Sequence, residues 1–172
     1  MTSQLAAALV LIANREEKLK VREIRDTNCG PRVDIYKAAT WLPADKSWPW
    51  CAAFVCWCVR EAMRETGVKE TPTFRRPQTA GAWDFINWSR EQDTTTKTIR
   101  SAVGGVEWDV QPGDIVVYNF SHIGICVEGN GGGNTFKAVE GNTDASGSRE
   151  GGGVYLKTRN VTQIRALIRF TK

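Results

Sequence analysis

The stretch Ser47-Trp48-Pro49-Trp50-Cys51-Ala52-Ala53-Phe54-Val55-Cys56-Trp57-Cys58-Val59 carries no charge in a chain that is 24% charged. Ala52, Val55, Val59 and Ala62 recur at three- and four-residue steps, the period of a helix. With no polar face up to Val59, that helix has to be buried nearly all round, so the rest of the chain must wrap it. Pro49 suits the approach to the first turn, where its missing N–H would be unpaired anyway. Cys51 therefore falls in or just before that turn. Unpaired backbone N–H groups and the positive end of the helix dipole lie there, and both favour a negative sulfur. The position offers Cys51 as a nucleophile; the competing reading is a small buried hydrophobe, as most free cysteines are.

A chain of 172 residues supports one domain with a proper core, and we expect a single domain over 1–172. No run approaches the ~20 apolar residues of a membrane span, so no membrane insertion is expected. Leu5 to Ala13 is apolar but follows an uncharged start, which is not a secretory pattern. The expectation is synthesis in the cytoplasm without a signal peptide, with release or delivery to any external substrate. The five cysteines are odd in number and lack paired metal-type spacing. With one histidine besides, they predict a reduced thiol protein with no metal and no other cofactor. The net charge of +4 could help an approach to an anionic surface such as a cell wall or nucleic acid, but it fits an ordinary soluble protein better and decides nothing; we expect a monomer with no nucleic-acid partner.

The order of elements predicts an α+β fold. Ser3 to Arg25 reads as a helix on the stripe Leu5, Ala8, Leu9, Ile12 and Leu19, stopped before Asn28-Cys29-Gly30-Pro31. Val33, Tyr36 and Ala39-Thr40 suggest a short second helix. The cysteine helix follows and fades near Arg64 to Gly67, and Thr79 to Glu91 gives a fourth. Gln92 to Gly105 reads as loop. From Val106 the period changes to short β-forming runs: Ile115–Tyr118, Ile123–Val127, Phe136–Glu140, Val154–Leu156 and Ile164–Phe170. The helical part is thus about 1–91 and the β part about 106–172.

A cysteine nucleophile needs a base, and the chain has one histidine, His122, at the head of the strand that begins at Ile123. If that strand forms a hairpin with Phe136–Glu140, the end of the second strand lies beside His122. Glu140 or Asn142, two residues apart and so on one face of a continuous strand, is then placed to accept the imidazole N–H. Trp50 is a candidate wall of the cleft and Asn28 a candidate second oxyanion donor beside the backbone N–H of Cys51. Cys56, Cys58 and Cys126 read as packing residues.

The segments Trp50-Cys51-Ala52-Ala53-Phe54-Val55, Gly113-Asp114-Ile115-Val116-Val117, Ser121-His122-Ile123-Gly124-Ile125 and Glu140-Gly141-Asn142 together resemble the CHAP family. These are cysteine- and histidine-dependent amidohydrolases/peptidases, related to NlpC-type and papain-like hydrolases. Asn28 to Asp34 and Ser148 to Tyr155 look like segments of phage endolysins and related bacterial proteins. The resemblance implies a papain-like fold, N-terminal helices with the nucleophile at a buried helix N-terminus packed on a C-terminal antiparallel sheet. It matches Cys51 to the nucleophile, His122 to the general base, Glu140 to the acidic orienting residue and Asn142 to its accompanying asparagine. The implied partner is bacterial peptidoglycan. The implied bond is the N-acetylmuramoyl-L-alanine amide or a peptide bond of the stem or cross-bridge. A separate wall-binding domain, common in the family, is not expected here. The alternatives are a catalytically silent wall-binding module on the same fold, and an antibacterial effector with the same chemistry.

Overall fold

The computed structural model describes residues 3–93, 95–99 and 107–172. It is an α+β structure in which four helices lie against an antiparallel sheet. Helix α1 (Gln4–Lys18) starts where the Ser3 side chain accepts from the Ala6 N–H, satisfying one of the unpaired first-turn donors. Helix α2 spans Pro31–Lys37, with proline at its first position. Helix α3, Cys51–Thr66, is buried on every side up to Val59. It ends at Gly67, whose φ of 74° lets the chain leave in the left-handed conformation. Helix α4 spans Asp84–Glu91. No helix is long and apolar enough to cross a membrane among the described residues.

The strands are β1 (Thr96–Ile99), β2 (Ile115–Tyr118), β3 (Ile123–Glu128), β4 (Thr135–Thr143), β5 (Gly153–Asn160) and β6 (Ile164–Phe170), in the sheet order β1-β6-β2-β3-β4-β5. Alternation divides the side chains between two faces. Ile115, Val117, Ile123, Ile125 and Val139 join the main core with α1 and α3. Val116, Tyr118, Cys126, Phe136 and Ala138 form a second cluster on the opposite face with Trp108, Val110 and Leu167. Cys126 therefore packs away from the helices. The turn into β2 is held by Asp114, which is buried and grips the Arg169 guanidinium through both carboxylate oxygens at 2.7 Å.

Several boundaries differ from the sequence expectation. Helix α1 stops at Lys18, short of Arg25, because the chain beyond it is drawn to the start of β5. Val154 N–H donates to the Val21 carbonyl at 3.2 Å and Glu23 N–H to the Gly152 carbonyl at 2.8 Å. Helix α2 ends before Ala39-Thr40. Helix α4 begins at Asp84 rather than Thr79, because the Thr79 hydroxyl donates to the Asp84 carboxylate and the Thr79 carbonyl accepts from the Cys56 thiol. The largest miss is β1, inside the stretch read as loop. It is a short threonine-bearing edge strand that exists by pairing with β6, Thr96 opposite Phe170 and Ile99 opposite Leu167. The β part thus begins before the expected boundary, and Val106 with the adjoining end of the expected loop lies outside the described residues.

Candidate active site

Helix α3 has no side-chain cap, and its first paired N–H is that of Phe54, which donates to the Trp50 carbonyl at 2.9 Å. The N–H groups of Cys51, Ala52 and Ala53 therefore precede the first intrahelical bond and point out of the helix N-terminus. Cys51 is the first residue of the helix and is 6% exposed. Its sulfur lies at the positive end of the helix dipole.

The sheet brings His122 to this end. Tyr118 N–H donates to the His122 carbonyl at 2.9 Å and closes a three-residue turn between β2 and β3, with Ser121 at φ 56°. That is the geometry of a tight hairpin whose last loop residue is left-handed. Strands β3 and β4 pair antiparallel, Ile125 opposite Val139 and Cys126 opposite Ala138. The start of β3 thus lies beside the far end of β4, as the hairpin expectation required. Two glycines permit the close approach. A Cβ on Gly141 would fall 2.7 Å from Phe54 Cβ and 2.8 Å from Trp50 Cζ3, so only glycine lets β4 press against the first turns of α3. A Cβ on Gly124 would fall 2.7 Å from Glu140 Cγ, so glycine there opens the seat for the carboxylate.

His122 and Glu140 are both fully buried, with His122 Nε2 at 2.9 Å from Glu140 Oε2. Glu140 Oε1 accepts from the Tyr118 hydroxyl at 2.7 Å, and Arg159 grips the same carboxylate, Nε to Oε1 at 2.8 Å and its terminal nitrogen to Oε2 at 2.6 Å. Burial pushes the Glu140 carboxyl up, but the Arg159 and His122 hydrogen bonds outweigh it and hold its pKa below the ordinary value. An ionised carboxylate only accepts, so His122 Nε2 carries a proton in either charge state of the ring. That leaves Nδ1 for Cys51. Nδ1 is buried and has no partner at strict hydrogen-bond geometry, yet the Cys51 sulfur is near enough to act on the ring. Burial pulls the His122 pKa down, and hydrogen bonding and charge from Cys51 and Glu140 overcome it, lifting it to about 9. A thiol and an imidazole seated loosely in this way are an arrangement compatible with a nucleophile and its base.

Of the residues singled out in the sequence, Cys51, His122 and Glu140 converge. Asn142 does not reach the imidazole. The β4 register breaks between Glu140 and Thr143, and Asn142 sits at φ 57°, so the strand is not continuous and the two side chains do not share a face. Its Nδ2 instead donates to the Arg149 carbonyl at 3.4 Å, across the loop that follows. Trp50 is not a cleft wall, because it is fully buried, stacks on Tyr36 and donates Nε1 to Glu23 at 3.0 Å. Asn28 lies in the turn before α2, where its carbonyl accepts from the buried Lys37 ammonium at 2.9 Å. Its side chain touches neither Cys51 nor His122 among the described contacts. Tyr118 and Arg159 were not legible, since both meet Glu140 only through sheet register. Among the described residues no three His, Cys, Asp or Glu side chains gather to hold a metal.

Cys56, Cys58 and Cys126 are fully buried, which sets them apart from Cys51, whereas Cys29 is half-buried. Desolvation pushes the thiol of Cys126 up to about 12 and also raises those of Cys56 and Cys58 well above the ordinary thiol value. The model of the CHAP domain family matches residues 43–142, the span from the approach to α3 through the end of β4. No curated protein matches the chain.

Proposed function

The chain belongs to the CHAP domain family, a family of amidase and peptidase hydrolases linked to peptidoglycan, and from that premise we propose that it cleaves an amide bond of peptidoglycan with Cys51 as nucleophile. The observation that carries the reading is the buried line from Glu140 through His122 to Cys51 at the mouth of a helix N-terminus. In this reading His122 takes the Cys51 proton through Nδ1, and the thiolate attacks the amide carbonyl. The carbonyl oxygen gathers negative charge, which the free Cys51 N–H is oriented to stabilise. The tetrahedral intermediate collapses to a thioester as the imidazolium gives its proton to the departing amine. Neutral His122 then draws a proton from water, whose oxygen attacks the thioester, and the proton returns to the sulfur as the acid leaves. Glu140 fixes the ring throughout and stabilises the imidazolium.

The bond is either the amide between N-acetylmuramic acid and L-alanine or a peptide bond of the stem or cross-bridge, as in endolysins. Mass spectrometry of purified peptidoglycan after digestion tests it. The expected products carry a new amine paired with a new lactyl or peptidyl carboxylate. A new reducing sugar end would mean glycosidic cleavage and end the reading.

A further inference from the structure

We propose that Arg159 is a positioning residue that keeps Glu140 ionised through the half of the cycle in which His122 is neutral, and that it ties the loop at 144–151 to that charge. The inference rests on the reading of His122 as the base. A buried carboxylate that met only the imidazole would lose its countercharge each time the ring gave up its proton, and an unpaired buried charge is costly. Arg159 supplies a permanent one. Its guanidinium is itself buried, lies 5.3 Å from the centre of the Tyr118 ring and 5.2 Å from that of Phe120, and holds both carboxylate oxygens of Glu140. Planar, two-pronged contact of this kind is what arginine offers and lysine does not.

The same terminal nitrogen that holds Glu140 Oε2 also donates to the Gly147 carbonyl at 3.1 Å. Lys157, two residues earlier on the same face of β5, holds the same loop by its Asp144 and Ala145 carbonyls at 3.2 and 2.5 Å. The loop is thus gripped by two cations from one strand. Only Arg159 reaches the catalytic carboxylate, so movement of Gly147 is felt at Glu140.

The chain's single histidine makes the test clean, because one imidazole gives one ¹⁵N NMR titration. That titration and the pH dependence of kcat/KM are compared in wild type, Arg159→Met, Arg159→Lys and Lys157→Met. Removing the buried positive charge raises the pKa of every neighbour. In Arg159→Met both limbs of the profile, and the imidazole titration, should move up by about one pH unit, the low end of what an adjacent charge does. Arg159→Lys should keep the limbs near wild type while kcat falls, and Lys157→Met should change mainly KM. Unmoved limbs in Arg159→Met, or the same shift in Lys157→Met, would overturn the inference. If Arg159→Met does not fold, Arg159→Lys carries the test: a change in KM alone would mean that Arg159 only supports the loop. The titration needs no turnover, so an unmoved imidazole defeats this inference and leaves the mechanism standing. Hydrolysis that survives in Cys51→Ala defeats the mechanism itself.

Discussion

Replacing Glu140 by glutamine alters almost no volume and removes one charge, which makes it the sharpest probe of the buried network. The carboxylate accepts from Tyr118, from two nitrogens of Arg159 and from His122. An amide has one acceptor oxygen, and its NH2 group must point at one of those donors. The guanidinium is then left buried with its countercharge gone. Breaking a buried pair from one side costs about 3–5 kcal/mol, so the urea midpoint should fall with an unchanged slope. The imidazole loses one of the two partners that lift its pKa, so that pKa should drop below about 9, with burial then opposed only by Cys51. Single-turnover hydrolysis should fall by roughly 10³–10⁴-fold, the scale seen when a triad carboxylate becomes an amide. Histidine NMR, urea unfolding and single-turnover rates read the three effects separately. An imidazole still titrating near 9, or a rate within about tenfold of wild type, would refute the assignment of Glu140.

Asn142→Ala should cost far less activity than Glu140→Gln in the same single-turnover assay, since Asn142 bonds the Arg149 carbonyl and not the ring; a deeper loss would make the third member an asparagine. Cys56→Ala, Cys58→Ala and Cys126→Ala should retain hydrolysis, and alkylation followed by mass spectrometry should label those thiols only after unfolding. Stability should depend on pH through His122. Its pKa is raised on folding from 6.5 to about 9, so its contribution is fully present below pH 6.5 and is lost as pH rises toward 9. Denaturation midpoints across that window should decline by an amount worth up to about 3 kcal/mol, at 1.36 kcal/mol per pH unit, and the decline should be shallower in Cys51→Ala.

The parts of this fold that were legible in the sequence are those set by short-range pattern. The uncharged run around Cys51 could only be a buried helix, and the β-forming runs from Ile115 onward became strands close to where they were read. The placing of Cys51 and His122 followed, because one lies at a helix start and the other at the head of a strand. What escaped depends on partners distant in sequence. Strand β1 is polar and short, and only pairing with β6 makes it a strand. Arg159 faces Phe136 across the β4–β5 register and reaches Glu140 diagonally, which no local pattern reveals. The bulge at Asn142 had a local signal, since Gly-Asn is a pair that tolerates the left-handed region. Reading it would have separated Glu140 from Asn142 at once. Trp50 looked like a cleft wall through its neighbour in sequence, yet its indole turns inward to Tyr36 and Glu23.

The central claim is that the Cys51 sulfur forms the bond to the substrate carbonyl. The most direct measurement is the hydrolysis of purified peptidoglycan by Cys51→Ala, with circular dichroism and the urea midpoint confirming that the variant is folded. The account predicts a folded protein with no hydrolysis above background. A folded Cys51→Ala that still released amines from the wall would contradict it.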